Sequence, residues 1–528
     1  MTDRILIADA LAAGSGKRTS SRDSIGCGPR AVAGVFEKHS IPCRIMRAED
    51  LLQKPSRMKR FSHFAISAMT MDLPATESLI GLWRYRQPEG KVVLGGPIAQ
   101  GKESILESLK PDVLVLGEGE ATLDTLLSAG FLEDSVSLSS IQGIGYVDES
   151  GPFLTEQRPP LSERDLSETY TPSTVRIVDY ETYPAAKVYV ETIRGCSNFN
   201  RARIQLPDGR RCSECGNCAS ENLQDRMYCP EDIPPGCGFC SVPSVWGPPR
   251  SRSIDAIVQE IEELLDLGVH RIVLEAPGFL DYKRGSYPLT NPCSPPPNLE
   301  AISELLTRLA TLQQFENGTA HLSIENIKAC LFDEEVTEVL AHTVPETSPN
   351  IGLETGSEEH RQRIGKCGTV YGVLRAVETA SEYGLNPYVY FIYGLPGETE
   401  ETVRESIRIM RKLHEAGARR IILYGFRPLP GSAFESFSGP QMDHSLTREL
   451  RKEAARINRS EKKSYVGKTV RGVAAEPSWS RHGFTMVYPL GEGPIMTVQG
   501  GFTSGTVLDV RITEILSENL LAGEVVRS

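Results

Sequence analysis

The chain has 528 residues, 40% of them hydrophobic, and a formal net charge of -12. This length predicts about three domains with sizeable cores, and the acidic balance argues against a protein that holds nucleic acid mainly through phosphate electrostatics. No run approaches the ~20 apolar residues that span a bilayer, and the N-terminus lacks a secretory signal pattern. We therefore expect a cytoplasmic protein, in which clustered cysteines are metal ligands rather than disulfides.

Short apolar runs alternate with helical patterns over residues 1–150. RILIADAL, PCRIMRA, HFAISAM, KVVLGGP and DVLVLGEGE are typical of buried parallel strands. Such alternation predicts an α/β domain with a doubly wound, Rossmann-like sheet, whose ligands lie outside the carboxyl ends of the strands. The polar, Pro-rich segment 151–187 predicts a linker.

A second α/β run covers residues 188–435. Six or so strands, nearly all followed by helices, predict a full or partial β/α barrel, with chemistry at the C-terminal strand ends. Residues 436–463 predict a connecting charged helix. Residues 464–528 contain many glycines and β-branched residues in short runs, which predict a small β-barrel.

Seven of the twelve cysteines lie between Arg194 and Cys240. Cys237 and Cys240 form a C-x-x-C pair, and Cys196 ends the first apparent barrel strand. Three thiolates at one strand-end loop suit an Fe–S cluster, and the missing fourth ligand would leave one iron open. Because the forty residues 197–236 separate Cys196 from the pair, the spacing alone is a weak signal.

The insert 197–236 carries its own set of thiols, with the spacing C-x2-C-x2-C-x10-C: Cys212, Cys215, Cys218 and Cys229. Four soft ligands predict a mononuclear iron or zinc site, which would supply the folding energy of a loop with few apolar residues. A second Fe–S cluster and free or disulfide-bonded thiols are the alternatives. The other cysteines have no metal spacing and are predicted to be small buried side chains: Cys27, Cys43, Cys293, Cys330 and Cys367.

TIRGC…GCGFC, followed by NIGLETGS and YFIYGLPGETEETVRESIRIM, resembles the radical S-adenosylmethionine (SAM) superfamily. The resemblance implies that Cys196, Cys237 and Cys240 hold a [4Fe-4S] cluster whose open iron binds SAM. The sequence departs from the CxxxCxxC motif of that superfamily, since forty residues rather than three follow the first cysteine.

The same resemblance implies a set of SAM contacts. Phe239 would pack on the adenine, with Ile392 and Gly394 beside it. Glu354 would contact SAM through its polar groups, and Asn326 is a candidate ribose or methionine contact. The alternatives are a solvated loop acid for Glu354 and a strand-end turn residue for Asn326.

The N-terminal run resembles the cobalamin-binding domain that precedes many radical SAM cores. Its strand ends provide the candidate contacts to cobalamin: Leu11, Ser67, Met69, Thr70, Gly95, Gly96, Pro97, Gly117, Glu118, Gly119 and Glu120. Familiar base-off domains carry DxHxxG, whose histidine ligates cobalt, whereas Leu11 stands at that position here. The resemblance therefore implies base-off cobalamin without a histidine ligand.

The C-terminal segment resembles the TRAM domain, a small β-barrel that binds RNA in tRNA-modifying methylthiotransferases. From Gly467 onward it has five Lys or Arg against six Asp or Glu, which is not a basic groove. We therefore favour protein docking or a structural role over RNA binding, and expect no nucleic-acid or membrane partner.

These features resemble the cobalamin-dependent radical SAM methyltransferases. The resemblance implies that SAM both methylates cobalamin and, once cleaved, generates the radical that activates an unactivated sp3 carbon. Within this family, the Cys-rich insert and overall plan resemble the methanogen enzymes that C-methylate a glutamine of the methyl-coenzyme M reductase alpha subunit. The expected partners are thus an electron donor and a protein substrate that functions in methanogenesis and is modified after translation.

Two other functions remain open. A radical SAM methylthiotransferase acting on tRNA or a ribosomal protein would suit the C-terminal barrel. Such enzymes use three N-terminal cysteines for an auxiliary cluster, and this region has only Cys27 and Cys43. A non-catalytic scaffold that binds metal and SAM is disfavoured by the intact CGFC, GLETGS and GLPGET motifs.

Overall fold

The computed structural model describes residues 4–18, 21–133, 135–440, 445–479, 481–517 and 520–527. The chain divides into two compact units. The first comprises Met1–Val190 and Arg252–Leu267, and the second comprises Glu191–Ser251 and Gly268–Ser528. Over the described ranges, every helix is too short or too polar to cross a membrane.

The strands in chain order are β1 (Ile5–Asp9), β2 (Ser24–Ile25), β3 (Cys43–Arg47), β4 (His63–Ser67), β5 (Val92–Gly95), β6 (Val113–Val115), β7 (Ile144–Asp148), β8 (Gly151–Leu154), β9 (Lys187–Glu191), β10 (Ile193–Arg194), β11 (Arg250–Ser251), β12 (Arg271–Glu275), β13 (His321–Ile324), β14 (Asn350–Glu354), β15 (Tyr388–Tyr393), β16 (Arg420–Gly425), β17 (Thr469–Pro477), β18 (Phe484–Pro489), β19 (Met496–Gln499), β20 (Val507–Ile515) and β21 (Leu521–Arg527). The α-helices are α1 (Cys27–Lys38), α2 (Ala48–Gln53), α3 (Leu73–Arg86), α4 (Lys102–Leu109), α5 (Gly119–Ser128), α6 (Val242–Trp246), α7 (Ile254–Asp266), α8 (Leu299–Ala310), α9 (Gln313–Glu316), α10 (Glu334–Thr343), α11 (Glu358–Arg363), α12 (Val370–Glu382), α13 (Glu400–Glu415) and α14 (Ser445–Lys463).

The first unit contains a sheet with the strand order β3-β1-β4-β5-β6-β7-β8. The first five strands pair in parallel, and β7 and β8 add in antiparallel fashion. All five residues of β1 are buried, as expected for a strand covered on both faces. The parallel arrangement places the carboxyl ends of β1, β4, β5 and β6 at one edge, where the candidate cobalamin residues follow them.

The segment 151–187, expected to be a linker, is instead structured and lies in the first unit. It contains β8, a π-helical turn over Asp165–Thr169 and a 3-10 turn over Val175–Asp179. Four of its large side chains are buried although they are too widely spaced to form a helical or strand pattern: Leu161, Leu166, Ile177 and Tyr180.

The second unit contains parallel strand pairs that belong to the predicted β/α barrel. Strand β12 pairs with β13, and β14, β15 and β16 form a parallel sheet. A bridge between Ile327 and Ile351 connects the ends of these two sets. Helix α13 shows why the helices form, because Thr399 caps its first turn and Val403, Ser406, Ile409, Met410 and Leu413 make one buried face.

The C-terminal strands close into a barrel with the order β17-β18-β19-β21-β20, which confirms the predicted small β-barrel. Residues 436–440 of the predicted connecting helix are not helical, and 441–444 lie outside the described residues. Within the described residues the helix begins at Ser445, after the Gly439–Pro440 pair, which does not favour a helix.

Candidate functional site

The three cysteines separated by the insert come together in the second unit. The side-chain amide of Asn198 donates to Cys237 Sγ at 3.2 Å, and the Asn198 backbone N–H donates to Cys196 Sγ at 3.5 Å. Cys240 lies one turn after Cys237, with its N–H bonded to the Cys237 carbonyl at 2.8 Å. Asn198 therefore joins both sides of the interrupted motif.

The insert leaves and re-enters this loop at neighbouring points, as the motif requires. Gly236 N–H donates to the Asn200 carbonyl at 2.8 Å, and Gly238 N–H donates to the Ile364 carbonyl at 2.7 Å. Gly365 packs against the same place, where an added Cβ would lie 2.9 Å from the Gly236 oxygen. Forty residues can thus be inserted without separating the flanking cysteines.

Burial raises the pKa of the Cys237 thiol to about 12 and that of Cys240 to about 11. Burial also raises the pKa of Cys196, although the ammonium of Lys328 opposes the shift. These thiols are therefore protonated at neutral pH in the absence of a cluster, and ligation must release protons. Three soft donors on one loop fit the [4Fe-4S] cluster implied by the motif.

A buried charge network, which the sequence analysis missed, lies beside Cys196. The Asp281 carboxylate accepts hydrogen bonds from Ser197 Oγ at 2.9 Å and Arg284 Nη2 at 2.7 Å, and also from Lys328 Nζ. Lys328 also donates to Ser197 Oγ at 2.7 Å. Burial raises the pKa of Asp281, but Lys328 and Arg284 outweigh it and hold the pKa below its usual range. The network fixes Ser197, the residue that follows Cys196.

Glu354 is buried, which excludes the alternative of a solvated loop acid. Its carboxylate accepts a hydrogen bond from Lys366 Nζ at 2.8 Å. Burial lowers the pKa of Lys366, but Glu354 and Cys237 reverse this and leave it above the usual range. Glu354 has a φ of 70°, a left-handed conformation that is costly for a non-glycine residue and is typical of functional sites.

Asn326 also has a left-handed backbone, with a φ of 59°. Its side-chain amide donates to the Ala276 carbonyl at 2.8 Å, and its own carbonyl accepts from Phe279 N–H at 2.9 Å. These bonds fix the turns after β12 and β13, so Asn326 shapes the strand ends in the manner of a turn residue.

Phe239 and Ile392 pack against one apolar cluster that includes Phe434. Gly238 allows this packing, because an added Cβ would lie 2.4 Å from the Phe434 ring. Gly394, which ends this side of the site, has a φ of 73° and donates its N–H to both carboxylate oxygens of Glu398 at 3.0 Å. Of the three residues expected to surround the adenine, Phe239 and Ile392 thus share one apolar cluster, and Gly394 follows Ile392 by two residues.

Glu398, which the sequence analysis did not single out, is an expected source of pH dependence. Burial raises its pKa to about 7, although the Gly394 N–H lowers it. A raised carboxyl pKa stabilises the fold below about pH 4.5, the ordinary value, and this stabilisation is lost as the pH rises through about 7. We expect Glu398→Gln to lack this component, so that its free energy of unfolding relative to wild type rises by about 2 kcal/mol between about pH 5 and pH 8.

Urea unfolding at both pH values measures this difference. Glu400→Gln is the matched control, because Glu400 is an exposed acid on the adjoining helix. A pH-independent difference for Glu398→Gln would contradict the expectation.

Three of the four insert thiols, those of Cys215, Cys218 and Cys229, lie near Arg201. Its guanidinium donates to the carbonyls of Phe199, Ile233 and Met227, and so joins both ends of the insert. Burial lowers the pKa of Arg201, and the thiols of Cys218, Cys229 and Cys215 oppose that shift. Burial raises the pKa of Cys218, and Cys212, Cys215 and Cys229 raise it further.

The four insert thiols are suitable metal ligands, but they must move closer together to bind one metal ion. Tetrahedral Zn–S bonds of about 2.3 Å place sulfurs about 3.8 Å apart. Among the described residues, the insert has no three ligand atoms within 4.8 Å of one another. Metal binding would therefore draw the loop together, in keeping with a folding contribution from the metal.

We expect the double variant Cys212→Ala, Cys215→Ala to lose one metal ion per chain while retaining the cluster. Elemental analysis and the cluster absorbance measure the two separately, and trypsin should cleave the insert of the variant faster than that of wild type. Cys43→Ala removes a buried thiol of the first unit and is the control. Unchanged metal content in the double variant would refute the second metal site.

In the first unit, the structure brings most candidate cobalamin residues to one edge of the sheet. Ala10 N–H donates to the Ser67 carbonyl at 3.0 Å, and Ala68 N–H donates to the Gly95 carbonyl at 3.1 Å. These bonds align the ends of β1, β4 and β5, which carry Leu11, Ser67, Met69, Thr70, Gly95, Gly96 and Pro97. Gly117, Glu118, Gly119 and Glu120 follow β6 at the same edge.

Local contacts distinguish the residues that shape these loops from a candidate that bonds to another part of the fold. Asp72 accepts from the N–H groups of Gly14 at 2.8 Å and Met69 at 3.0 Å, which ties the first two loops together. Gly96 must be glycine, since it has a φ of 91° and an added Cβ would lie 2.7 Å from the Ala68 oxygen. Glu118, in contrast, accepts from Leu161 N–H at 2.7 Å and serves the fold.

The edge fits cobalamin by its chemistry. The hydroxyls of Ser67 and Thr70 and the backbone around Gly96 provide polar contacts, while Leu11 and Met69 provide apolar ones. The loop 10–18 contains no histidine, so no imidazole from it can ligate cobalt.

Two of the five cysteines predicted to be plain buried side chains are paired, which corrects that prediction. Cys293 and Cys330 form a disulfide. Cys27, Cys43 and Cys367 are buried and are not disulfide-bonded. The pairing was missed because it depends on the tertiary approach of two segments with no shared spacing motif.

Comparison with known proteins places this chain among close relatives. Residues 228–410 match the Radical SAM superfamily. The uncharacterized protein MK0932 of Methanopyrus kandleri is 38% identical and covers 100% of this chain and 97% of the relative. The uncharacterized protein MJ1620 of Methanocaldococcus jannaschii is 40% identical, with 94% of each chain covered. A tRNA-2-methylthio-N(6)-dimethylallyladenosine synthase of Clostridium novyi is 24% identical over 55% of this chain and 62% of its own.

Two solved structures share the fold at low sequence identity. The radical S-adenosylmethionine methyltransferase TsrM of Kitasatospora setae, with cobalamin and a [4Fe-4S] cluster bound, has a TM-score of 0.59, 16% identity, and covers 82% of this chain and 77% of its own. The cobalamin-dependent S-adenosylmethionine radical enzyme OxsB, with aqua-cobalamin and S-adenosylmethionine bound, has a TM-score of 0.56, 14% identity, and covers 87% and 56%. The likeness extends well beyond residues 228–410.

Proposed function

This chain is a radical SAM enzyme of the family that includes MK0932 and MJ1620, and from this premise we propose that it is a cobalamin-dependent C-methyltransferase. The observation that carries the proposal is the convergence of Cys196, Cys237 and Cys240 in a chain that also has the fold of TsrM over 82% of its length. TsrM is described with both cobalamin and a [4Fe-4S] cluster bound.

The proposal assigns a role to each domain. Residues 1–150 form a Rossmann-like cobalamin domain, 188–435 form the radical SAM barrel with the Cys-rich insert 197–236, and 464–528 form a TRAM-like barrel for protein docking. When bound, the cluster and cobalamin would supply the electron that cleaves SAM and the methyl group that is transferred.

The residues of the chain bind and orient the reactants. Cys196, Cys237 and Cys240 would ligate the cluster, with Asn198 and Lys366 beside the thiolates. The Glu354–Lys366 pair presents a carboxylate and an ammonium, which suit the amino and carboxylate groups of SAM. The apolar wall of Phe239 and Ile392 would receive the adenine and exclude water.

For the substrate, we propose an unactivated sp3 carbon of a protein, specifically a glutamine of the methyl-coenzyme M reductase alpha subunit, modified in the cytoplasm. Two observations support this proposal. The insert and the order of domains resemble the methanogen glutamine methyltransferases, and the two close relatives come from methanogens. The acidic chain and the non-basic C-terminal barrel suit a protein substrate better than RNA.

A methylthiotransferase is the second candidate, favoured by the 24% identity to the Clostridium novyi synthase and by the C-terminal barrel. An auxiliary cluster of the usual kind would need three N-terminal cysteines. In this region the chain has only Cys27 and Cys43, and both are buried.

One experiment separates the two functions. Anaerobically purified protein is loaded with hydroxocobalamin and incubated with reductant, methyl-deuterated SAM, methyl-coenzyme M reductase peptides and tRNA. We expect stoichiometric cobalamin binding and one labelled methyl group on a peptide carbon, detected by mass spectrometry. Failure to bind cobalamin, or a sulfur-containing product on tRNA, would reject the methyltransferase.

A further inference from the structure

Cys293, Cys330 and Cys367 lie close together in the second unit and are called the three-cysteine group below. Among the residues that the structure describes, they are the only three Cys, His, Asp or Glu side chains whose ligand atoms all lie within 4.8 Å of one another. Cys293 and Cys330 are joined as a disulfide with Cα atoms 5.4 Å apart, and Cys367 has a free, buried thiol. A free thiol in reach of a disulfide is the arrangement that thiol–disulfide exchange requires.

The backbone is shaped to bring Cys367 to this disulfide. Cys330 lies in a 3-10 turn over Ala329–Leu331, and Cys367 lies between α11 and α12. Gly368 has a φ of 75°, and a Cβ added there would lie 3.4 Å from the Cys330 Cβ. The following glycine therefore permits the close approach of the two cysteine segments.

Two members of the three-cysteine group, Cys330 and Cys367, follow closely in sequence after the two lysines that lie near the proposed cluster cysteines. Lys328, two residues before Cys330, donates to Ser197 Oγ at 2.7 Å and to Asp281. Lys366, directly before Cys367, donates to Glu354 at 2.8 Å. Any rearrangement at Cys330 or Cys367 must therefore act on the side chains around the cluster loop.

Three cationic side chains lie near Cys367. Arg361 donates to the Cys367 carbonyl, and the charge of a Cys367 thiolate interacts with Arg361, Lys328 and Lys366. The thiolate form of a cysteine is the form that attacks a disulfide.

We propose that Cys293, Cys330 and Cys367 form a thiol–disulfide exchange site that couples the redox state of the chain to SAM binding. The Cys367 thiolate attacks Cys330 Sγ, the Cys293–Cys330 bond breaks, a Cys330–Cys367 bond forms, and Cys293 leaves as a thiolate, with no net electron transfer. A dithiol reductant supplies two electrons and two protons to produce three thiols and is itself oxidised to a disulfide.

The exchange itself is tested without any assay of activity. Protein is held in a glutathione redox buffer, quenched with acid and N-ethylmaleimide, and mapped by mass spectrometry. We expect Cys293–Cys330 in the wild type and a Cys330–Cys367 disulfide in Cys293→Ser, whereas Cys43→Ser keeps the wild-type pairing. A Cys330 that stays a thiol in Cys293→Ser would overturn the exchange. So would an iron or zinc ion that is lost in Cys293→Ser but kept in Cys212→Ala, Cys215→Ala, because it would identify a metal site.

The link to SAM binding rests on the proposed function and has its own readout. The dissociation constant for SAM is measured by equilibrium dialysis on cluster-loaded protein. The three-cysteine group is either left in its disulfide form or reduced by dithiothreitol. We expect at least a several-fold difference between the two states in the wild type and none in Cys293→Ser, Cys330→Ser, Cys367→Ser. Equal affinities in wild type would overturn the coupling alone. No SAM binding in either state would instead count against the proposed function and would leave the disulfide mapping intact.

Discussion

Replacing Cys237 by alanine is expected to abolish the [4Fe-4S] absorbance and with it reductive SAM cleavage. Cys237 is the proposed ligand that accepts a hydrogen bond from the Asn198 amide at 3.2 Å, and it lies beside Lys366. Two remaining thiolates cannot hold a cluster that already has only three protein ligands. Iron content, electron paramagnetic resonance of the reduced protein and 5'-deoxyadenosine production measure the loss.

Two further variants show whether the loss is specific. Asn198→Ala keeps all three ligands but removes the amide donor to Cys237, and we expect a roughly 10- to 100-fold lower cluster affinity or SAM cleavage rate. Cys43→Ala removes a buried thiol from the first unit and should leave the cluster unchanged. A Cys237→Ala protein with full iron content and SAM cleavage would show that the interrupted motif does not bind the cluster.

The elements that position this site could be predicted from local patterns. Short apolar runs predicted β1, β3, β4, β5 and β6, and each is present. The C-terminal barrel followed from short strands separated by glycines, and it closes as expected. Local sequence is enough in these cases because burial of the strand itself decides its conformation.

The chemistry between distant segments could not be predicted in the same way. Asp281 and Lys328 belong to segments that share no sequence motif, GFLDYKR and ENIKACL, yet they meet in a buried network with Ser197. The Cys293–Cys330 disulfide likewise joins residues 37 positions apart that share no motif. Charges and thiols carry no periodic signal, so only the tertiary structure shows which of them are paired.

Glu354 and Asn326 show a third case, in which the position was correct and the conformation was not foreseen. Both lie at strand ends, as the motifs indicated, and both have a positive φ. Glu354 turns into a buried ion pair with Lys366, whereas Asn326 bonds to the backbone of the preceding strand end. Strand-end loops therefore differ in role although their sequence positions are equivalent.

Asp281→Asn is expected to destabilise the fold by about 3–5 kcal/mol, because it leaves Lys328 and Arg284 as buried charges without a counter-ion. The pKa of Asp281 is lowered, so its stabilisation is present above its ordinary value of 3.8 and is lost as the pH falls through the lower folded value. The free energy of unfolding in urea at about neutral pH measures the effect, and the acid-dependent component should be missing from the variant.

Two further variants distinguish the loss of a counter-ion from a general loss of packing. Asp208→Asn changes an exposed acid that also pairs with an arginine, and should leave the unfolding free energy nearly unchanged. The double variant Asp281→Asn, Lys328→Met removes a charge of each sign and should recover part of the stability lost by Asp281→Asn, as expected for a coupled buried pair. If the double variant is less stable than the single one by the full cost of Lys328→Met alone, the two side chains act independently. Asp281 would then stabilise the loop after Cys196 through Ser197 and Arg284 rather than through Lys328.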